Sequence, residues 1–189
     1  MKKKNGFTLV ELMVAMAIMV VAFGLVTYLY TRAAKIRKIV VVNNEVQQVL
    51  SQIMDTLTYG DKTHWGFSHS TGLDDSQVSE TTAVYLKRDT ETMEVIISDG
   101  KVNITWGSDT IDLDPNNKVE VITDPPYNSR FEYFDRRDNR LNPPISSPDT
   151  DKVSFIKITL WARSTDPSFK LAEPVPLVTG VKLGKKTSF

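Results

Sequence analysis

A handful of positions carry side chains able to do chemistry, each in a different setting. Glu11 is a carboxylate in a run that is otherwise almost all hydrocarbon from Phe7 to Tyr30. An ionised group at membrane depth is costly, so such a charge has a partner or a task. His64 and His69 share a polar stretch with Ser68, Ser70, Asp74 and Asp75. Those types suit nucleophilic catalysis or a shared metal, yet neither nucleophile-elbow nor zinc-helix spacing is present. Asp109, Asp112 and Asp114, followed by Asn116 and Asn117, offer oxygen ligands to calcium. They lack the glycine and the closing glutamate of an EF-hand loop. Arg136, Arg137 and Arg140 alternate with Asp135 and Asp138, the pattern of a solvated turn rather than a phosphate site. No catalytic residue, metal site or cofactor is expected.

The composition excludes more. The 189 residues suit one globular domain with an appendage. Basic and acidic residues number 23 each, so no basic field points to nucleic acid as a partner. Cysteine is absent, which removes disulfides, zinc-finger spacings and a cysteine nucleophile.

The elements that position Glu11 follow from periodicity. The apolar run to Tyr30 is long enough to cross a hydrocarbon core, which takes about 20 residues. It is too long for a secretory signal peptide, and no small-x-small cleavage site follows before Arg32. A plain membrane anchor fits the length but leaves Glu11 unexplained. Lys2, Lys3 and Lys4 precede the span, while Arg32, Lys35, Arg37 and Lys38 follow it. Positive charges therefore do not decide the orientation. Further on, Ile36, Ile39, Val42, Val46, Val49/Leu50, Ile53 and Leu57 recur at spacings of three and four, one apolar stripe of an amphipathic helix. No proline interrupts Phe7 to Thr58, which predicts one helix of about 50 residues, ~75 Å long. Gly60 is a suitable left-handed cap at its end.

The remainder reads as β-rich. Asp61 to Ser79 is polar and glycine-bearing, and is expected to be a long loop. Asp99-Gly100, between the β-rich runs MEVIIS and KVNITW, predicts a hairpin with a type I′ turn. TAVYLKR, KVEVIT and RFEYFD are further strands, the last two split by Asp124-Pro125-Pro126. DKVSFIKITLWARS is a long strand with Val153, Phe155, Ile158 and Leu160 as its apolar set, though its alternation slips near Ile156. PVPLVTGVKL closes the chain, its prolines indicating an edge. The expected fold class is α+β, a long N-terminal helix packed on an antiparallel β-sheet head.

The stretch Gly6-Phe7-Thr8-Leu9-Val10-Glu11-Leu12 resembles the class III signal of type IV prepilins and type II secretion pseudopilins. The resemblance spans about the first 25 residues and implies processing by a prepilin peptidase. The cut would fall between Gly6 and Phe7, and the new amine of Phe7 would be methylated. The implied organisation is a basic leader over 1–6, a transmembrane and polymerisation helix over 7–30, an amphipathic helix over 31–60 and a head over 61–189. Loss of three lysines would leave 20 basic against 23 acidic residues, a charge near −3. Glu11 would pair with the Phe7 amine of a neighbouring subunit, the alternative being a local charge that offsets the helix dipole. Implied partners are the peptidase, other pilin or pseudopilin subunits met through the N-terminal helix, and inner-membrane lipid before assembly. The implied location is the inner membrane, single-pass, with a cytoplasmic leader and an extracytoplasmic head, and then the filament.

RFEYFDRRDNRL and KVSFIKITLWARS are similar to the C-terminal half of W-type minor pilins and J-type minor pseudopilins. The sequence departs from major pilins in two ways, the first of which favours a minor or pseudopilin type. There is no cysteine for a C-terminal disulfide loop, and Tyr28 stands where many carry a helix-breaking proline. The resemblance implies a non-catalytic minor pilin that helps initiate or cap a type IV pilus. The alternatives are a J-like minor pseudopilin of type II secretion and a competence pilin-like component of DNA uptake. The last predicts a basic head, which the sequence lacks.

Overall fold

A computed structural model describes residues 8–74, 82–145, 149–169 and 173–184. The expected processing junction at Gly6 and Phe7 lies outside them, as does the stretch from Asp75 to Ser79. One uninterrupted helix, α1 (Leu9–Tyr59), opens the described chain. The chain divides into two compact units, Met1–Val41 and Val42–Phe189.

In the first unit the helix is exposed all round, from Leu9 (75% exposed) through Phe23 (67%) to Tyr30 (75%). In the second unit, Val46, Val49, Leu50, Ile53, Met54 and Leu57 are buried and Val42 is half-buried. The apolar stripe expected from Ile36 is therefore covered only from Val42 onward, while Ile36 and Ile39 stay exposed. Periodicity marks which side of a helix is apolar, not what covers it. The helix ends at Gly60 (φ 84), whose N–H still reaches Thr56 O at 2.8 Å. A Cβ at Gly60 would lie 2.1 Å from the His64 carbonyl oxygen, so the turn needs glycine for space as well as for its backbone angle.

Two antiparallel sheets follow, rather than one. The first is a meander of β1 (Gly72–Leu73), β2 (Ala83–Arg88), β3 (Glu91–Ser98), β4 (Lys101–Trp106) and β5 (Asp109–Asp112). The expected hairpin is there: Ser98 pairs with Lys101, and Asp99 and Gly100 have φ 52 and 76, as a type I′ turn requires. The second sheet is built from β6 (Val119–Val121), β7 (Arg130–Phe134), β8 (Arg140–Leu141), β9 (Phe155–Ser164) and β10 (Val175–Lys182). Its order is β10-β9-β7-β8, with β6 also pairing to β9, so the proline-bearing β10 is an edge as its composition indicates.

Two expectations are corrected, and one strand is added. Asp61 to Ser79 is not simply a surface loop: Trp65, Phe67 and Leu73 are buried, and a 3-10 turn over Phe67–His69 carries the second of them. Isolated apolar residues in a polar setting have no period to reveal them. In β9 the buried set is Ile156, Ile158, Leu160 and Ala162, and Phe155 takes the opposite face beside Phe134. Strand parity permits only one of Phe155 and Ile158 on a given face. Asp109 and Asp112 lie on a strand, β5, that their charge had obscured.

The two sheets share one core. Tyr133 Oη donates to Ala83 O at 3.0 Å, linking β7 to β2, and burial pushes this phenol well above its ordinary pKa. The Phe67 and Phe131 rings lie 6.2 Å apart, and Val121 N–H reaches Gly100 O at 2.7 Å. Glu132 is a buried carboxylate, 5% exposed, and faces Arg130 (3.3 Å), Arg140 (3.1 Å) and Lys157 (3.3 Å). Burial opposes its ionisation, but Arg130, Lys157 and Arg140 outweigh that and hold it below the ordinary glutamate value. A depressed folded-state pKa adds stability above the unfolded value and loses it as pH falls through the folded one. Glu132→Gln is expected to cost about 1–3 kcal/mol at pH 7, discounted for the partly exposed cations. The gap between variant and wild type should narrow below about pH 4. Thermal melts of both chains at pH 7 and pH 3 check this; an equal gap at both pH values refutes it.

Candidate functional site

The site is the start of the apolar helix. Thr8 precedes α1, and Glu11 stands three residues on, in its first turn. The first N–H groups of a helix lack partners within it, and here the two side chains supply them reciprocally. Glu11 N–H donates to Thr8 Oγ1 at 3.3 Å, Thr8 N–H donates to Glu11 Oε2 at 2.8 Å, and Thr8 Oγ1 donates to the same oxygen at 2.9 Å. Leu12 N–H reaches Thr8 O at 3.2 Å as the first helical bond. This is a capping box, and its local sequence signal is the Thr-x-x-Glu spacing.

The geometry bears on both roles weighed for Glu11. The carboxylate offsets the positive end of the helix dipole. Both bonds it accepts fall on Oε2, and Oε1 accepts none among the described residues. Capping therefore occupies one oxygen and leaves the other able to meet a cation from outside. The helix that begins here has an 18-residue window of mean hydropathy 2.6 that is wholly unburied, long and apolar enough to cross a membrane.

Residues 1–27 match the prokaryotic N-terminal methylation motif. That match supports a type IV pilin-like N-terminal segment. The match covers Gly6, Phe7, Thr8, Glu11 and most of the exposed apolar helix. No curated protein and no solved structure matches the chain. The motif implies processing by a prepilin peptidase, N-methylation, a single membrane pass and assembly with other pilin subunits. Pilin-like chains of this kind are structural subunits, generally non-catalytic, and membrane-anchored through this helix.

The other candidate residues of this pilin-like chain are tied into local structure. His64 Nδ1 lies 3.1 Å from Asp61 Oδ1 and 2.7 Å from Thr63 Oγ1, and its ring stacks on Trp106 at 4.2 Å. Hydroxyl and carboxylate meet the same ring nitrogen, so the imidazole does not relay a proton between them. Asp61 is held well below the usual carboxylate range, first by the Thr63 N–H. His69 instead meets Ser68, at 3.1 Å, and the Ser70 hydroxyl donates to Phe67 O. His64 thus meets Asp61 and Thr63, and His69 meets Ser68, in two separate contacts. Asp112 pairs with Lys101 (2.7 Å) and accepts the Asp114 N–H, while Asp114 accepts the Val119 N–H at 2.8 Å. Burial raises Asp112, but Lys101 and that N–H outweigh it and keep its pKa low. Asp135 closes its turn on the Arg137 and Asn139 N–H groups, and Arg140 turns inward to Glu132. Among the described residues, no three histidine or acidic side chains gather as metal ligands.

Proposed function

We propose that the chain is a minor, non-catalytic subunit of a type IV-class filament, a minor pilin that helps initiate or cap assembly after prepilin peptidase cuts at Gly6–Phe7. One observation carries the reading: a single helix joins a capped, apolar and exposed N-terminal part to a folded head. Such a chain works by presenting its helix for polymerisation and its head to partners, without turning over a substrate. The missing cysteine and the unbroken helix at Tyr28 support a minor rather than a major subunit. The leader is cytoplasmic in this reading, its lysines held by anionic lipid, and the head is extracytoplasmic. Glu11 is the assembly charge, its Oε1 meeting the Phe7 amine of a neighbour.

The test is deletion of the gene with quantitation of filaments and of this subunit in sheared preparations. The expected result is far fewer filaments of normal length, restored by complementation, with this chain far below stoichiometric amounts. Abundance equal to the principal subunit overturns the minor role. Intact filaments with lost protein secretion would move the assignment to a J-like minor pseudopilin.

A further inference from the structure

The edges of the two sheets are protected unequally. The first sheet ends on the two-residue β1 and on β5, which begins and finishes with Asp109 and Asp112. The second ends on the two-residue β8 and, opposite, on β10, eight residues long from Val175 to Lys182. The sole charge on β10 is its terminal Lys182. A long edge without internal charge is a template for a further strand.

The register determines which of its backbone groups are open. Leu183 N–H donates to Ser154 O at 3.0 Å, one step beyond the Lys182–Phe155 pair. Bonded pairs alternate along an antiparallel ladder, so Val181, Thr179, Leu177 and Val175 also turn their N–H and C=O toward β9. Pro176, Val178, Gly180 and Lys182 turn theirs outward. All four residues are exposed as well. Within Val42–Phe189, Val178 (53% exposed) and Tyr59 are the two large apolar side chains left exposed among the described residues.

We propose that β10 pairs with β10 of a second copy of this chain, antiparallel, about a twofold axis through Thr179. The strand is self-complementary in that register. Val178 stands opposite Gly180 of the second copy and Lys182 opposite Pro176, so every outward N–H meets a C=O. The missing N–H of Pro176 falls at the ends of the new ladder, not its middle. An axis through Val178 would instead set Gly180 against Pro176 and carry Lys182 past the strand end, forming fewer bonds. Gly180 is the right neighbour for Val178. It lacks a Cβ because Phe155 lies across it, and a Cβ there would be 2.1 Å from the ring's Cζ. Val178 therefore meets backbone flanked by an aromatic ring. The two Lys182 ammonium groups lie about 20 Å apart along the strands, so like charges do not meet.

Because the chain has no cysteine, single cysteines report the register directly. Across the axis, Thr179 faces its own copy as a non-bonded pair with Cα atoms about 4.5 Å apart, within disulfide reach. Val178 faces its own copy only diagonally, at about 7–8 Å. In full-length chain purified in detergent and mildly oxidised, Thr179→Cys is expected to form disulfide dimer at least about fivefold faster than Val178→Cys. Adding Val178→Lys to Thr179→Cys places two ammonium groups beside the axis and is expected to cut that dimer by a similar factor. Circular dichroism establishes that each variant is folded. Equal rates at the two positions, a yield indifferent to Val178→Lys, or no Thr179→Cys dimer at any protein concentration overturns the proposal. The position dependence separates this contact from association through the membrane helix, which would not distinguish residue 178 from 179.

Discussion

Gly6→Leu is expected to leave the chain in its precursor form, six residues longer than the processed wild type and with an unmethylated N-terminus. A peptidase that cuts next to a membrane helix needs the backbone at the bond laid into its active site, and glycine has no side chain to keep it out. Leucine at that position puts a branched side chain where the backbone must approach. The effect is all-or-none rather than graded, because without the cut no new amine exists to be methylated or paired. Co-expression with a prepilin peptidase followed by intact-mass measurement checks it. Wild-type chain should begin at Phe7 and carry a methyl group, and Gly6→Leu should begin at Met1. Normal processing of the variant, or a wild-type cut after Tyr30, removes the basis for reading the N-terminus as a prepilin signal.

Glu11→Ala should behave differently: inserted, folded and processed, yet largely excluded from filaments. Insertion does not suffer, since the substitution removes a charge that is unfavourable at membrane depth. The helix loses the two bonds that Oε2 accepts from Thr8, which frays its first turn, but the folded unit begins at Val42. What is lost for assembly is the carboxylate that would pair with the Phe7 amine of a neighbour. A charge costly alone and satisfied on docking favours the docked state and fixes its register. The readout is crosslinking between helix cysteines of this subunit and its partners, together with filament yield, in a background where Phe7 is shown to be exposed. Wild-type crosslinking there would leave the carboxylate with capping alone. Glu11→Gln sharpens the distinction, because the amide oxygen still accepts from Thr8 while the charge is gone. It should restore the cap and not the assembly.

The two variants separate what the N-terminus does before and after the cut. In the proposed reading Gly6 acts once, as the residue before the cut. Glu11 acts in the precursor as a cap and, in the proposed filament, as one half of an ion pair. Oε1, which accepts no bond among the described residues, lets both uses coexist in one side chain.

What could be read without a structure was whatever has a period or a short local signal. The unbroken helix follows from apolar content and the absence of proline, and it is found from Leu9 to Tyr59. The Asp99-Gly100 hairpin follows because only residues tolerant of positive φ close a two-residue turn between strands. The edge position of β10 follows from prolines that cannot donate to a ladder. The motif at Gly6 to Glu11 is likewise local, since a processing enzyme reads an extended stretch of chain and not a fold. Other features depend on neighbours distant in sequence, and these only the tertiary structure decided. Trp65, Phe67 and Leu73 are core residues because two sheets close over them, not because of any pattern around them. The parity of β9 was ambiguous until its pairing with β7 and β10 put Ile156 inward and Phe155 outward. Asp112 and Glu132 are held by cations up to 25 positions away, contacts that no spacing rule anticipates. Local chemistry writes itself into adjacent residues; burial is a property of the whole chain's packing.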